Sequence, residues 1–172
     1  MTPVLLRPAD PGDLDAVAAV FLGCWRSTYA GRLPTPLVAS MSDDAARSLW
    51  SRALTTPGRR AAVAEVDEQV CGVVGYEAQG GVGWVHSLYV APSVQGSGLG
   101  ARLLGHATSE LAAAGCRRGL LWVFADNTPS VAFYARRGWT PDGAHRVEEG
   151  FGENEIRLSR SLGVTEPTGV AS

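Results

Sequence analysis

The chain contains no lysine, and its fifteen basic residues are all arginines. That absence excludes the Gly-Lys-Ser/Thr phosphate loop, whose lysine reaches the terminal phosphates of a nucleoside triphosphate. Cysteine is scarce too. Cys24, Cys71 and Cys116 are odd in number and scattered, which favours buried or free thiols over a disulfide framework and leaves no zinc-ligand spacing, so no metal is expected. A strong excess of either charge is missing as well. The net charge is -2 and no basic run is present, which argues against non-specific nucleic-acid binding. No apolar run is long enough to cross a membrane, and the first residues lack a signal-peptide pattern, so a cytoplasmic chain with no membrane partner is expected. What is present is 45% hydrophobic content over 172 residues, enough for one globular domain with a sizeable core. Abundant glycine and alanine beside the all-arginine basic set point to a G+C-rich bacterial genome.

Residues 4–7 read as a first strand. Asp10-Pro11 then opens a helix, with Asp as cap, Pro at the first position, and Leu14, Val17, Ala18, Phe21 and Trp25 on its apolar face. Gly31, Pro34 and Pro36 read as a break, and a helix from Ser42 carries Ala46, Leu49, Trp50 and Ala53 on one side. Residues 61–66 and 70–78 read as strands paired about Asp67-Glu68, and 145–148 and 155–162 as late strands flanking Gly150-Phe151-Gly152. The order of strands and helices predicts an α/β (α+β) fold, a mixed sheet with helices on both faces. One domain is expected over residues 1–162, and the small polar tail at 163–172 is expected to be disordered.

Between these elements, Trp84-Val85-His86-Ser87-Leu88-Tyr89-Val90 reads as a strand entering Ala91-Pro92-Ser93-Val94-Gln95-Gly96-Ser97-Gly98-Leu99-Gly100-Ala101-Arg102. Helical spacing then holds until Gly115. Free amides at a helix start, the helix dipole and bare glycines together suit a diphosphate. Gly96-x-Gly98-x-x-Ala101 matches the dinucleotide fingerprint on paper. In that motif the first glycine turns directly off the strand, whereas here Ala91 to Gln95 intervene. The pattern met in full is Gln-x-x-Gly-x-Gly/Ala after Val-x-Pro, at Gln95, Gly98 and Gly100. A second motif follows: a strand Leu120-Leu121-Trp122-Val123-Phe124, then Asn127, then a short helix with Ala132, Phe133 and Tyr134, closed by Arg137-Gly138-Trp139.

In these two motifs, their order and their separation, the chain resembles the GNAT superfamily, the Gcn5-related N-acetyltransferases, over residues 4–162. Trp139 stands where that family usually has Phe. The resemblance implies an acyl-CoA N-acyltransferase fold with splayed central strands, acetyl-CoA as cosubstrate and direct transfer of acetyl to an amine. It implies that main-chain groups of Leu88, Tyr89 and Val90 and of the segment Gln95, Gly96, Ser97, Gly98, Leu99, Gly100, Ala101 and Arg102 hold the cofactor. Asn127 would fix the pantetheine arm and Tyr134 would serve the departing sulfur. An unperturbed phenol near pKa 10 is a weaker acid than a thiol near 8.5, by about 2 kcal/mol, so full proton transfer to the sulfur is not automatic and hydrogen-bond donation is the simpler role. Packing in the core is the other reading of Tyr134.

An alkyl amine with a pKa near 10.4 is only about one part in 10³ to 10⁴ neutral at pH 7, roughly 4 to 5 kcal/mol against the nucleophile. Something must take its proton. His86 lies on the strand entering the loop, where arylalkylamine acetyltransferases place a histidine, although their second histidine falls at Trp84 here. A hydrogen-bonded structural histidine is the alternative, and Glu77 is the second candidate base. By family resemblance Trp25 and Tyr29 would line the acceptor site, with Glu77 on its edge. The expected partner is a small-molecule amine, with homodimerisation left open. A protein N-terminal acetyltransferase of alanine type, a noncatalytic acyl-CoA sensor and a nucleotide-dependent oxidoreductase are the other functions compatible with the motifs.

Overall fold

The computed structural model describes residues 2–150 and 152–163; the middle of the expected 150–152 turn and the tail expected to be disordered, from 164 on, lie outside the described residues. Its strands are β1 (Val4–Pro8), β2 (Arg59–Val66), β3 (Gln69–Gln79), β4 (Val82–Val90), β5 (Arg118–Phe124), β6 (Thr140–Val147) and β7 (Asn154–Ser161). The helices are α1 (Leu14–Tyr29), α2 (Thr35–Ser40), α3 (Asp43–Thr55), α4 (Leu99–Ala113) and α5 (Thr128–Ala135). The strand order is β1-β2-β3-β4-β5-β7-β6. Pairing is antiparallel at β1-β2, β2-β3, β5-β7 and β6-β7 and parallel at β4-β5, the mixed sheet the sequence predicts. The parallel pairing comprises Val82↔Arg118, Gly83↔Gly119 and Trp84↔Leu120, while β4 runs on to Val90 and β5 to Phe124.

The chain forms two compact units, one holding the residues up to Glu77 with Val85–Ala107, the other holding Ala78–Trp84 with the residues from Thr108 on. In the first, β2 and β3 meet at Val66↔Gln69, with Asp67 and Glu68 at φ 50° and 63°. Two successive left-handed residues give the turn whose twist matches the strands it joins. A 3₁₀ turn at Pro11–Asp13 leads into α1 and is held by a reciprocal cap. Asp10 Oδ1 accepts from the Gly12 amide at 2.7 Å, and Asp13 Oδ2 accepts from the Asp10 amide at 2.8 Å. Asp13 is also gripped by both terminal nitrogens of Arg7 at 2.8 Å, and the Arg7 Nε donates to Glu65 at 3.0 Å. This bond to Arg7 holds the Asp13 carboxyl below the ordinary carboxylate range. The core of the unit is aromatic. Phe21 meets Tyr89 edge-on at 5.1 Å between ring centres and Trp50 at 6.1 Å, and Trp25 lies 4.7 Å from Tyr29.

The glycine at 72 in β3 allows α4 to sit close, because a Cβ there would fall 2.7 Å from Leu103 Cδ1. In the second unit the same device recurs at Gly83, 2.7 Å from Leu111 Cδ1. There β7 pairs with both β5 and β6 around buried Leu121, Leu158 and Trp139.

Three sequence expectations change. The segment read as a break at Pro34 and Pro36 contains α2, because prolines in a first helical turn remove an amide that has no partner there anyway. Strand β6 begins at Thr140 instead of 145. Pro141 and the register shift before His145 mark an irregular edge strand, which erases the alternation a sequence reader needs. Leu49 is 38% exposed, and α3 buries only Ala46 and Trp50. Those two lie one helical turn apart, a narrower stripe than the sequence suggested.

Candidate active site

Strand β4 ends where Ala91 donates its amide to Cys71 O on β3 at 2.8 Å. By strand alternation, Val90 and Leu88 therefore turn their main-chain groups to the opposite edge. A single 3₁₀ turn at Pro92–Val94 follows, and the loop is closed by its own side chains. Ser97 Oγ donates to Val94 O at 2.6 Å. Gln95 Nε2 donates to Val90 O at 3.0 Å, and Cys24 Sγ reaches the same carbonyl at 3.0 Å. The carbonyl of Val90 is thus already engaged, which leaves its amide and the groups of Leu88 as what this end of β4 can offer a ligand.

Gly96 and Gly98 adopt φ +80° and +85°, a region that L side chains rarely enter, and a Cβ built on either meets nothing within 4 Å. The helix closes first with Arg102 N on Gly98 O at 3.1 Å. The amides of Leu99, Gly100 and Ala101 thus precede any intrahelical acceptor, at the positive end of a fifteen-residue helix. Leu99 is buried and Arg102 has spent its amide on the helix, so Leu99 can serve a ligand only by its main chain and Arg102 only by its exposed side chain. Tyr89 sends its ring into the aromatic core. Helix-start amides without an intrahelical acceptor, beside two glycines with open space around them, are the chemistry a diphosphate group needs.

The two candidate bases are one constellation. His86 Nε2 lies 3.0 Å from Glu77 Oε2, and the Arg59 Nε approaches the same oxygen at 3.8 Å. The side chains are 30% and 14% exposed for His86 and Glu77. An ionised carboxylate only accepts, so a neutral His86 facing it carries its hydrogen on Nε2 and its lone pair on Nδ1. The contact orients the imidazole and sets a carboxylate beside the charge it would gain on protonation. Trp25 is 3% exposed and donates its indole N–H to Val38 O at 3.1 Å, which ties α1 to α2; Tyr29, beside it, is half-buried.

In the second unit, Asn127 caps α5, its Oδ1 accepting from Ser130 N at 3.4 Å. Tyr134 is half-buried, with ring contacts to Phe133 at 5.2 Å and Trp139 at 6.3 Å. Sequence reasoning missed the Glu77–His86 pairing and Cys24, because neither strand register nor a buried thiol's neighbour is visible in local spacing. Among the described residues, no group of three or more His, Cys, Asp and Glu side chains is placed to hold a metal ion, and no helix is long and apolar enough to cross a membrane.

Residues 24–139 match the model of the acetyltransferase (GNAT) family. The chain belongs to that family of N-acetyltransferases. Mycothiol acetyltransferase of Streptomyces bingchenggensis is 43% identical over 63 residues, 37% of this chain and 20% of that protein. The chain spans about a fifth of the length of the curated relatives it matches. The fold is shared with the PaiA N-acetyltransferase of Thermoplasma acidophilum, solved in complex with coenzyme A (18% identity, 92% of this chain and 99% of that one, TM-score 0.75). It is also shared with the ribosomal-protein-S18-alanine N-acetyltransferase of Escherichia coli (17% identity, 98% and 100% covered, TM-score 0.70).

Proposed function

We propose that this protein transfers an acetyl group from acetyl-CoA directly to the primary amine of a small molecule. The observation that carries the reading is the Gln95–Arg102 junction, where helix-start amides without an intrahelical acceptor follow two left-handed glycines with open space around them, a combination suited to a pyrophosphate. Acetyl-CoA supplies the activated thioester. Every other requirement falls on the chain. The amides of Gly96, Gly98, Leu99, Gly100 and Ala101 hold the diphosphate, and Val90 N–H with Leu88 and the Asn127 side chain fix the pantetheine arm. His86 accepts the proton of the attacking amine at Nδ1, and Glu77 offsets the positive charge that the imidazole then carries. Tyr134 donates a hydrogen bond to the sulfur as negative charge develops on it. Trp25 and Tyr29 shape the acceptor side, Tyr29 as the less buried member.

A small-molecule acceptor is favoured over a protein N-terminus by the two relatives named for mycothiol, although each match covers only a fifth of the relative. The test is acetyl-CoA with a broad panel of amines and N-terminal peptides, followed by free-thiol release. Thiol release that requires a small amine supports the reading. Release with peptides alone moves the assignment to protein N-termini, and coenzyme A binding without any acceptor-dependent release makes the protein an acyl-CoA sensor.

A further inference from the structure

Helix α1 meets the start of the phosphate loop at two adjacent residues. Gly23 faces Pro92, where an added Cβ would fall 3.2 Å from the proline Cδ. Its neighbour Cys24 is 7% exposed and points its thiol at Val90 O, 3.0 Å away. The Gln95 amide nitrogen converges on that carbonyl from the loop, at 3.0 Å from the oxygen and 4.0 Å from the sulfur. Two donors from different elements, α1 and the loop, thus fix one peptide at the point where the strand ends and the loop begins.

We propose that Cys24 is a positioning residue, its thiol donating with Gln95 to the Val90 carbonyl so that α1 sets where the loop's amides lie and hence how tightly coenzyme A binds. The inference rests on the acetyl-CoA reading above. Burial, opposed in part by the contacts with Val90 and Gln95, raises the Cys24 thiol above its usual range. It is therefore protonated at neutral pH and able to donate, which a thiolate could not do. Because α1 also carries Trp25 and Tyr29, the clamp joins the acceptor side to the donor loop through one rigid helix.

The test uses three variants of the full chain. Cys24→Ser keeps a donor at nearly the same size, Cys24→Ala removes donor and volume, and Cys24→Val restores volume without a donor. Two readouts are taken: coenzyme A affinity by calorimetry, and amide hydrogen exchange of the ligand-free protein at Ala91 and Val94, with Ala9, which donates to Ala61 O, as the remote reference. Loss of one neutral hydrogen bond predicts coenzyme A binding about threefold to tenfold weaker for the Ala and Val variants. Exchange at Ala91 and Val94 rises by a similar factor, with Ala9 unchanged. The Ser variant stays near wild type in both. The proposal is overturned if Cys24→Ser is as impaired as Cys24→Ala, or if Ala and Val leave loop exchange no faster than that at Ala9. Should wild-type protein fail to bind coenzyme A, the transferase reading falls, and the ligand-free exchange still decides whether the clamp exists.

Discussion

In the proposed mechanism the Gln95–Arg102 loop works through main-chain amides, whereas His86 and Glu77 work through two side chains on successive strands. The loop needs glycine where φ is positive and a helix start where amides are unspent, and almost any residue could supply the remaining backbone. The pair needs one imidazole and one carboxylate 3.0 Å apart. A main-chain site should therefore tolerate side-chain loss and fail on backbone change. A side-chain site should do the reverse.

The largest effect is expected at the pair. His86→Gln should lower kcat by about 100-fold to 1,000-fold, in the range of a lost general base, and remove the acidic limb of the pH–rate profile for an aromatic amine of low pKa. Glu77→Gln should cost less, about tenfold, because the base survives without its charge partner. An unchanged limb in His86→Gln would move the base elsewhere. Next comes Tyr134→Phe, expected to cost about 1 to 3 kcal/mol in turnover, or roughly 5-fold to 150-fold, with little change in the KM for acetyl-CoA. Unchanged kcat with chemistry rate-limiting would make Tyr134 a packing residue.

The loop gives smaller numbers and the opposite pattern. Gly98→Val forces a β-branched residue to φ +85°, strain of about 1 to 2 kcal/mol, and should weaken coenzyme A binding about tenfold. Ser97→Ala and Arg102→Ala should change it less. If either of these exceeds the glycine variant in calorimetry, the loop binds by side chains and the contrast fails.

The smallest effect lies away from both sites, at Asp13. Its carboxyl is held below the ordinary range chiefly by Arg7, so it contributes stability above that range, lost as pH falls through its folded value. Asp13→Asn should destabilise the fold by about 1 kcal/mol at neutral pH, and the difference in thermal midpoint from wild type should shrink in acid. A pH-independent difference would mean that the Arg7 pairing contributes nothing beyond shape.

The same contrast explains what could be read before the fold was seen. The loop was legible because glycine, Gln and Pro spacing encodes backbone geometry locally, and Asp10 likewise announced its helix cap. The Glu77–His86 contact was not, since it depends on how β3 and β4 register around a turn, and each residue alone reads equally well as a solvated side chain. Cys24 was illegible for a similar reason: its partner carbonyl lies 66 residues away. At Pro34 and Pro36 the difficulty was ambiguity, because proline both ends helices and begins them. Leu49 shows that helical spacing locates an apolar stripe without giving its width.

The central claim is that the loop's own amides hold coenzyme A, and the most direct test is a titration of the ¹⁵N-labelled 18.1 kDa chain with coenzyme A. The account predicts that the largest amide shifts fall on Gly96, Gly98, Leu99, Gly100 and Ala101 and saturate together. Saturable binding that leaves those five amides unmoved would contradict it.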